Sequence, residues 1–214
     1  MIRNYLYKKL RRLRRRLHTS SRAVAACFVL LAIGLIGYAI DMQNQRPAID
    51  PTRYTPLLNL IGKVESDDNY NAYFGNASNK EIDFTNMPIA EVLSWQANFV
   101  AQGNPSSAVG RYQIINTTLT GLVDQLAIDT NQKFDESTQD RLAIALLERR
   151  GSLNYVEREL TPQEFAANLS REWAGLPRVI GGNPDDSYYA GDGLNKSRTS
   201  VNEVLKVIEP ISAE

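Results

Sequence analysis

Positions 23 to 40, AVAACFVLLAIGLIGYAI, run for 18 residues without a charge, and no other feature of this chain restricts its folding so strongly. As a helix the run would be about 27 Å long, near the lower limit for crossing a bilayer core. Nine Lys/Arg residues and no acid lie in residues 1–40, so the other 174 residues carry 15 bases against all 24 acids, a net charge of −9 beneath an overall charge of zero. A basic flank before an apolar run orients it with the N-terminus in the cytoplasm and the rest exported.

Three readings of the run stand: a retained signal anchor, a cleaved signal peptide with Gly37 and Ala39 as the small residues before the cut, and a buried helix of a soluble domain. The run exceeds a usual signal-peptide core and lacks a clear A-x-A site, which favours retention. The expected layout is a basic cytoplasmic arm (1–22), a transmembrane signal anchor (23–40), a linker (41–54) and a folded domain (55–214). The expected location is the inner (cytoplasmic) membrane, single-pass, with the folded domain in the periplasm. A basic N-terminus is also a nucleic-acid signal. Abutting an apolar span, it is read as setting topology, and no nucleic-acid partner is expected.

Residue counts exclude much chemistry. The one histidine, His18, and the one cysteine, Cys27, both precede the folded domain. That domain can hold no internal disulfide. It also lacks the residues for a Ser/His/Asp triad, a thiol nucleophile or a usual zinc site, so no metal or cofactor is expected. Carboxylate, hydroxyl, amide and aromatic groups remain.

Along the exported part, residues 41–54 are polar, contain two prolines and lack an apolar period, as a linker would. Thr55 and Pro56 read as the N-cap and first position of a helix whose stripe is Leu57, Leu60, Ile61 and Val64. From Ser66 to Thr85 the short pieces AYFG and EIDF suggest a small hairpin. Further helices are expected at about 88–101, with Ile89, Val92, Leu93, Gln96 and Val100 on one face, at 116–127, and at 137–150. Thr161, Pro162 and Glu164 open another, with Phe165, Leu169 and Trp173 four apart, and Ser200 with Glu203 caps the last. The fold class is therefore α+β, mainly α, with a small β region.

Glu65 falls four residues after Ile61 and eight after Leu57, on the greasy face of the first helix. A carboxylate there is costly unless paired, protonated or in use. Burial and the negative end of the helix dipole both push its pKa upward, and an acid that keeps its proton near neutral pH suits glycoside cleavage. The competing reading is a helix-end glutamate bent out to solvent. In SSAVGRYQ, Ser106 to Gln113, small residues and glycines let backbone approach a ligand, Tyr112 offers a ring and Gln113 an amide; an ordinary turn into a helix reads the same way. Trp173 sits on the apolar spacing of a core residue, whereas Tyr188 and Tyr189 lie in a Gly/Asp loop that suits exposure and carbohydrate contact.

At these residues a resemblance becomes specific. In order, VESDDNYNAYFG, NMPIAEVLSWQ, SAVGRYQII, FDESTQDRLAIALLERRG, FAANLSREWAGLP and YYAGDGLNKS resemble the lysozyme (muramidase) family of phage-lambda type, over about Leu57 to Val207. The resemblance implies a lysozyme-like fold and cleavage of the β-1,4 bond between N-acetylmuramic acid and N-acetylglucosamine in peptidoglycan. It implies that Glu65 is the catalytic acid and that Ser107, Tyr112, Gln113 and Tyr189 contact the glycan strand. It further implies a lytic transglycosylase, which closes a 1,6-anhydro ring without consuming water. A hydrolytic lysozyme would need a second carboxylate at a set distance, for which Asp67, Asp68 and Asp83 are the candidates. A noncatalytic glycan-binding protein of the same fold is the rival from another class. Phage lysis, virion entry and local wall opening by a secretion system are the settings that suit such a chain.

Overall fold

The computed structural model describes residues 49–212. The apolar run at 23–40, and with it the expected membrane anchor, lies outside the described residues. Among those described, no helix is long and apolar enough to cross a membrane.

Order begins before Thr55. The Asp50 side chain accepts from Thr52 N–H and opens a 3-10 turn, Pro51–Tyr54, which runs straight into helix α1, Thr55–Ser66. Thr55 is thus helical rather than a cap, and residues 51–54 belong to the folded part and not to a linker. The reason is Tyr54, whose ring is 1% exposed and whose hydroxyl bonds Ser152 Oγ at 2.9 Å. Helix α1 buries Leu57, Leu58, Ile61 and Val64, each side chain contributing about 1.5–3 kcal/mol on leaving water.

The chain continues through a 3-10 turn, Phe84–Asn86, then helices α2 (Ile89–Ala101), α3 (Asn116–Gln125), α4 (Glu136–Arg149), α5 (Ser152–Val156), α6 (Pro162–Leu169) and α7 (Val201–Ser212). Helix α7 packs on α1, α6 and the Pro51–Tyr54 turn, while α2, α3 and α4 pack in sequence. The Thr161/Glu164 capping box of α6 forms on both sides, and Ser200 Oγ accepts from Glu203 N–H at the start of α7. Helix α6 stops at Leu169, however, so Trp173 is not on it. Trp173 is still buried, 2% exposed, because its N–H donates to Leu169 O and the chain folds back onto the same core.

The expected small β region is not built from strands. Among the described residues only isolated antiparallel bridges occur, including Tyr73 with Asn76 and Val109, and Val109 with Ile114. Asparagine side chains take over the backbone groups a ladder would have used. Buried Asn79 donates to Asn71 O and Ile82 O and accepts from the N–H groups of Glu81 and Ile82. Asn69 donates to Ala77 O and Asn79 O, and Asn71 accepts from Thr85 N–H. On the expected apolar face of α2, Ile89, Val92 and Gln96 are buried, but Val100 is 44% exposed because the core ends one turn earlier.

Candidate active site

Helix α1 ends in two consecutive left-handed residues, Asp67 (φ 54°) and Asp68 (φ 64°), which turn the chain away just after Glu65. Glu65 is left partly buried at the helix terminus. Its Oε1 accepts from Gly175 N–H at 2.8 Å. A Cβ at position 175 would stand 3.0 Å from that oxygen and 3.1 Å from Val64 Cγ2, so a larger residue would press on Glu65 and Val64, and glycine lets the amide approach without that crowding. Arg198 secures the same place, its N–H donating to Gly175 O and its Nη1 to Val64 O.

Burial raises the Glu65 pKa to about 6, against smaller opposing pulls from the Gly175 amide and the charge of Arg198. No other acid contributes to that shift. The group can therefore hold a proton at mildly acidic pH, release it and take one back, as general acid–base work demands.

The three candidate aspartates are committed elsewhere. Asp67 pairs with Lys63 at 2.9 Å on the exposed side of the helix, and this hydrogen bond holds its carboxyl below the usual range. Asp68 accepts from Arg111 Nε and Nη2 at 3.1 and 2.8 Å. Asp83 accepts from Asn86 and Thr85 side chains, which lower its pKa.

Arg111 ties this helix end to the rest of the protein. Only 8% exposed, it also donates to Asn59 Oδ1 and to the hydroxyls of Tyr70 and Tyr112. Both tyrosines in turn donate to Asp140 Oδ1 on α4, at 2.9 and 2.6 Å. The loop carrying Arg111 is set by Gly110 (φ 77°), where a Cβ would fall 2.3 Å from Gln139 Oε1. That oxygen accepts from Arg111 N–H.

Three of the four glycan positions expected from the sequence, Tyr112, Gln113 and Tyr189, border one pocket of about 250 Å³; Ser107 and Glu65 do not. Tyr112 is 1% exposed, so it offers a wall and not the free stacking ring read from its sequence. Burial, and then its hydrogen bond to Asp140, raise its pKa. Gln113, in a left-handed conformation (φ 47°), donates through Nε2 to Gly110 O and keeps part of its surface open. Tyr189 is exposed and its hydroxyl donates to Arg171 O at 2.8 Å. Ser107 is built into the scaffold: its Oγ accepts from Asn116 N–H at the start of α3, and its carbonyl accepts from buried Gln96.

The tyrosine loop is joined to the glutamate through Ser187. Its buried hydroxyl donates to Ala174 O, the residue before Gly175, and accepts from Tyr189 N–H. The sequence did not single out Gly175, Arg198, Arg111 or Ser187. Gly175 alone carried a usable signal, a glycine between Ala174 and Leu176 in the segment after Trp173. Among the described residues no group of three or more His, Cys, Asp or Glu side chains is placed to hold a metal ion.

A family model for endolysins matches residues 59–190, more than half of the chain and the stretch holding Glu65, Gly175 and the 250 Å³ pocket. No curated protein and no solved structure matches. The chain belongs to the endolysin family, and its general role is the degradation of peptidoglycan.

Proposed function

We propose that the protein is a lysozyme-like enzyme of phage-lambda type that cuts the β-1,4 bond between N-acetylmuramic acid and N-acetylglucosamine as a lytic transglycosylase. The observation that carries this reading is Glu65, an acid at a helix end with its pKa raised to about 6 and only a backbone amide and a cation acting against that rise. Glu65 protonates the glycosidic oxygen as the bond to the muramoyl C1 breaks. As a carboxylate it then takes the proton from the muramoyl C6 hydroxyl, whose oxygen bonds C1 and closes the 1,6-anhydro ring. The proton count balances and no water enters.

Hydrolysis on the same bond would use a second carboxylate to activate water or trap the sugar. The engagement of Asp67 with Lys63, Asp68 with Arg111 and Asp83 with Thr85 and Asn86 favours the one-acid route. In this reading Gln113 and Tyr189 touch the glycan directly, while Tyr112 and Ser107 hold the loop that presents it. The run at 23–40 anchors the protein in the cytoplasmic membrane, with the catalytic domain, which includes the turn at Pro51–Tyr54, in the periplasm and acting in phage lysis. Mass spectrometry of digested peptidoglycan tests the chemistry: products lighter by one water than reducing ends are expected, and reducing ends alone would establish the hydrolase.

A further inference from the structure

The 250 Å³ pocket beside Gln113 and Tyr189 has an unexpected charge. Arg149 and Arg150, at the end of α4, reach into its lining together with Arg171 and Glu172. Arg149 Nη2 lies 3.1 Å and Arg150 Nη2 2.7 Å from the same oxygen of Glu172, whose side chain is 9% exposed. One carboxylate thus serves two guanidinium groups. Arg171 brings a third, stacked 5.6 Å over the Tyr188 ring and paired with no carboxylate among the described residues. The lining carries a net charge of about +2 in a region, residues 41–214, whose net charge is −9. Such a local reversal costs repulsion among the arginines and is relieved by an anion.

We propose that this pocket is a subsite for the carboxylates of the stem peptide borne by muramic acid, so that the protein prefers peptide-bearing glycan to bare glycan. This rests on the assignment of the glycan to Gln113 and Tyr189 made above. The pocket adjoins both residues, and the Tyr189 hydroxyl already bonds the Arg171 carbonyl, so a strand held by Gln113 and Tyr189 lies beside the arginines, within reach of its lactyl-linked peptide. The volume is below that of a usual drug-sized site and suits one acidic residue of a stem. Guanidinium forks match a planar carboxylate in two-point fashion.

Calorimetric titration tests the subsite on Glu65→Gln protein, which leaves ligand intact. The probes are a muramoyl peptide with free carboxylates, the same peptide fully amidated, and inorganic phosphate. The free acid should bind about fivefold to tenfold more tightly than the amide at low salt, a gap that narrows as salt screens it. Arg171→Gln, at an exposed position whose side chain holds no ion pair among the described residues, should remove most of the gap, and Arg171→Lys should restore it in part. Equal affinity for acid and amide overturns the proposal, as does a gap that survives Arg171→Gln, or phosphate binding as tightly as the acidic peptide. The reading of the enzyme fails separately: wild-type protein that cleaves no strand overturns that reading and leaves the acid-to-amide ratio to decide the subsite.

Discussion

Glu65 and Asp68 leave the same end of α1 three residues apart, yet their surroundings treat a carboxylate in opposite ways. Asp68 is gripped by two nitrogens of Arg111, which also holds Asn59, Tyr70 and Tyr112. Glu65 receives one backbone N–H and makes no ion pair among the described residues. An acid gripped by a guanidinium is engaged as structure. A desolvated acid with few donors keeps its proton and can give it away. The satisfied aspartate also ties down the helix end on which the unsatisfied glutamate sits, and in the proposed reaction precise placement of that glutamate is worth several kcal/mol of barrier.

Breaking the reactive side should have the largest effect. Glu65→Gln keeps shape and removes the proton, so cleavage of cell-wall glycan should fall about 10³-fold; undiminished clearing by this variant would return the protein to a noncatalytic binder. Breaking the structural side comes next. Arg111→Met leaves Asp68, Tyr70 and Tyr112 without their shared donor and should cost about 3 kcal/mol in urea unfolding, discounted from a fully buried pair because the Asp68 side chain is 46% exposed.

The raised pKa of Glu65 predicts a smaller, pH-dependent effect. Between the ordinary value of 4.5 and the folded value of about 6, the unfolded chain gives up this proton before the folded one does. Stability from this group is therefore whole below about pH 4.5 and is lost as pH rises through 6, by about 2 kcal/mol. Thermal unfolding across that window should show the loss in wild type and its absence in Glu65→Gln. At the small end, Asp67→Asn removes an exposed partner of Lys63 and should leave both the unfolding midpoint and cleavage unchanged. A large loss of activity there would give Asp67 the role of a second carboxylate.

Much of this contrast is legible in the amino-acid order. The stripe with Glu65 on the same face follows from helical spacing: Leu57, Ile61 and Val64 are buried as expected, while Leu60 is only partly buried and Leu58 takes a place in the core that the spacing did not give it. The Thr161/Glu164 box and the Ser200 cap are local patterns of three or four residues, and both form. The hairpin after α1 does not, because asparagine side chains satisfy the backbone there, and composition does not specify their partners. Tyr112 shows the opposite failure. A tyrosine between glycine-rich and polar residues reads as exposed, but Arg111 and Asp140 together make a buried niche for its hydroxyl.

Sequence alone determined that this chain has an apolar run behind a basic arm, a mainly helical remainder and, without histidine or cysteine there, only carboxylate, hydroxyl, amide and aromatic groups for chemistry. Periodicity reports contacts within a turn or two, and that range is enough to place Glu65 on its helix. Only the tertiary structure decided what meets that carboxylate, since the Gly175 amide is 110 residues away and the arginine that holds its neighbour Asp68 is 43 residues from it. Such partners share no period and no local signal. They are brought together by the burial of the helices that carry them, and with them comes the difference between an acid that is neutralised and one that can react.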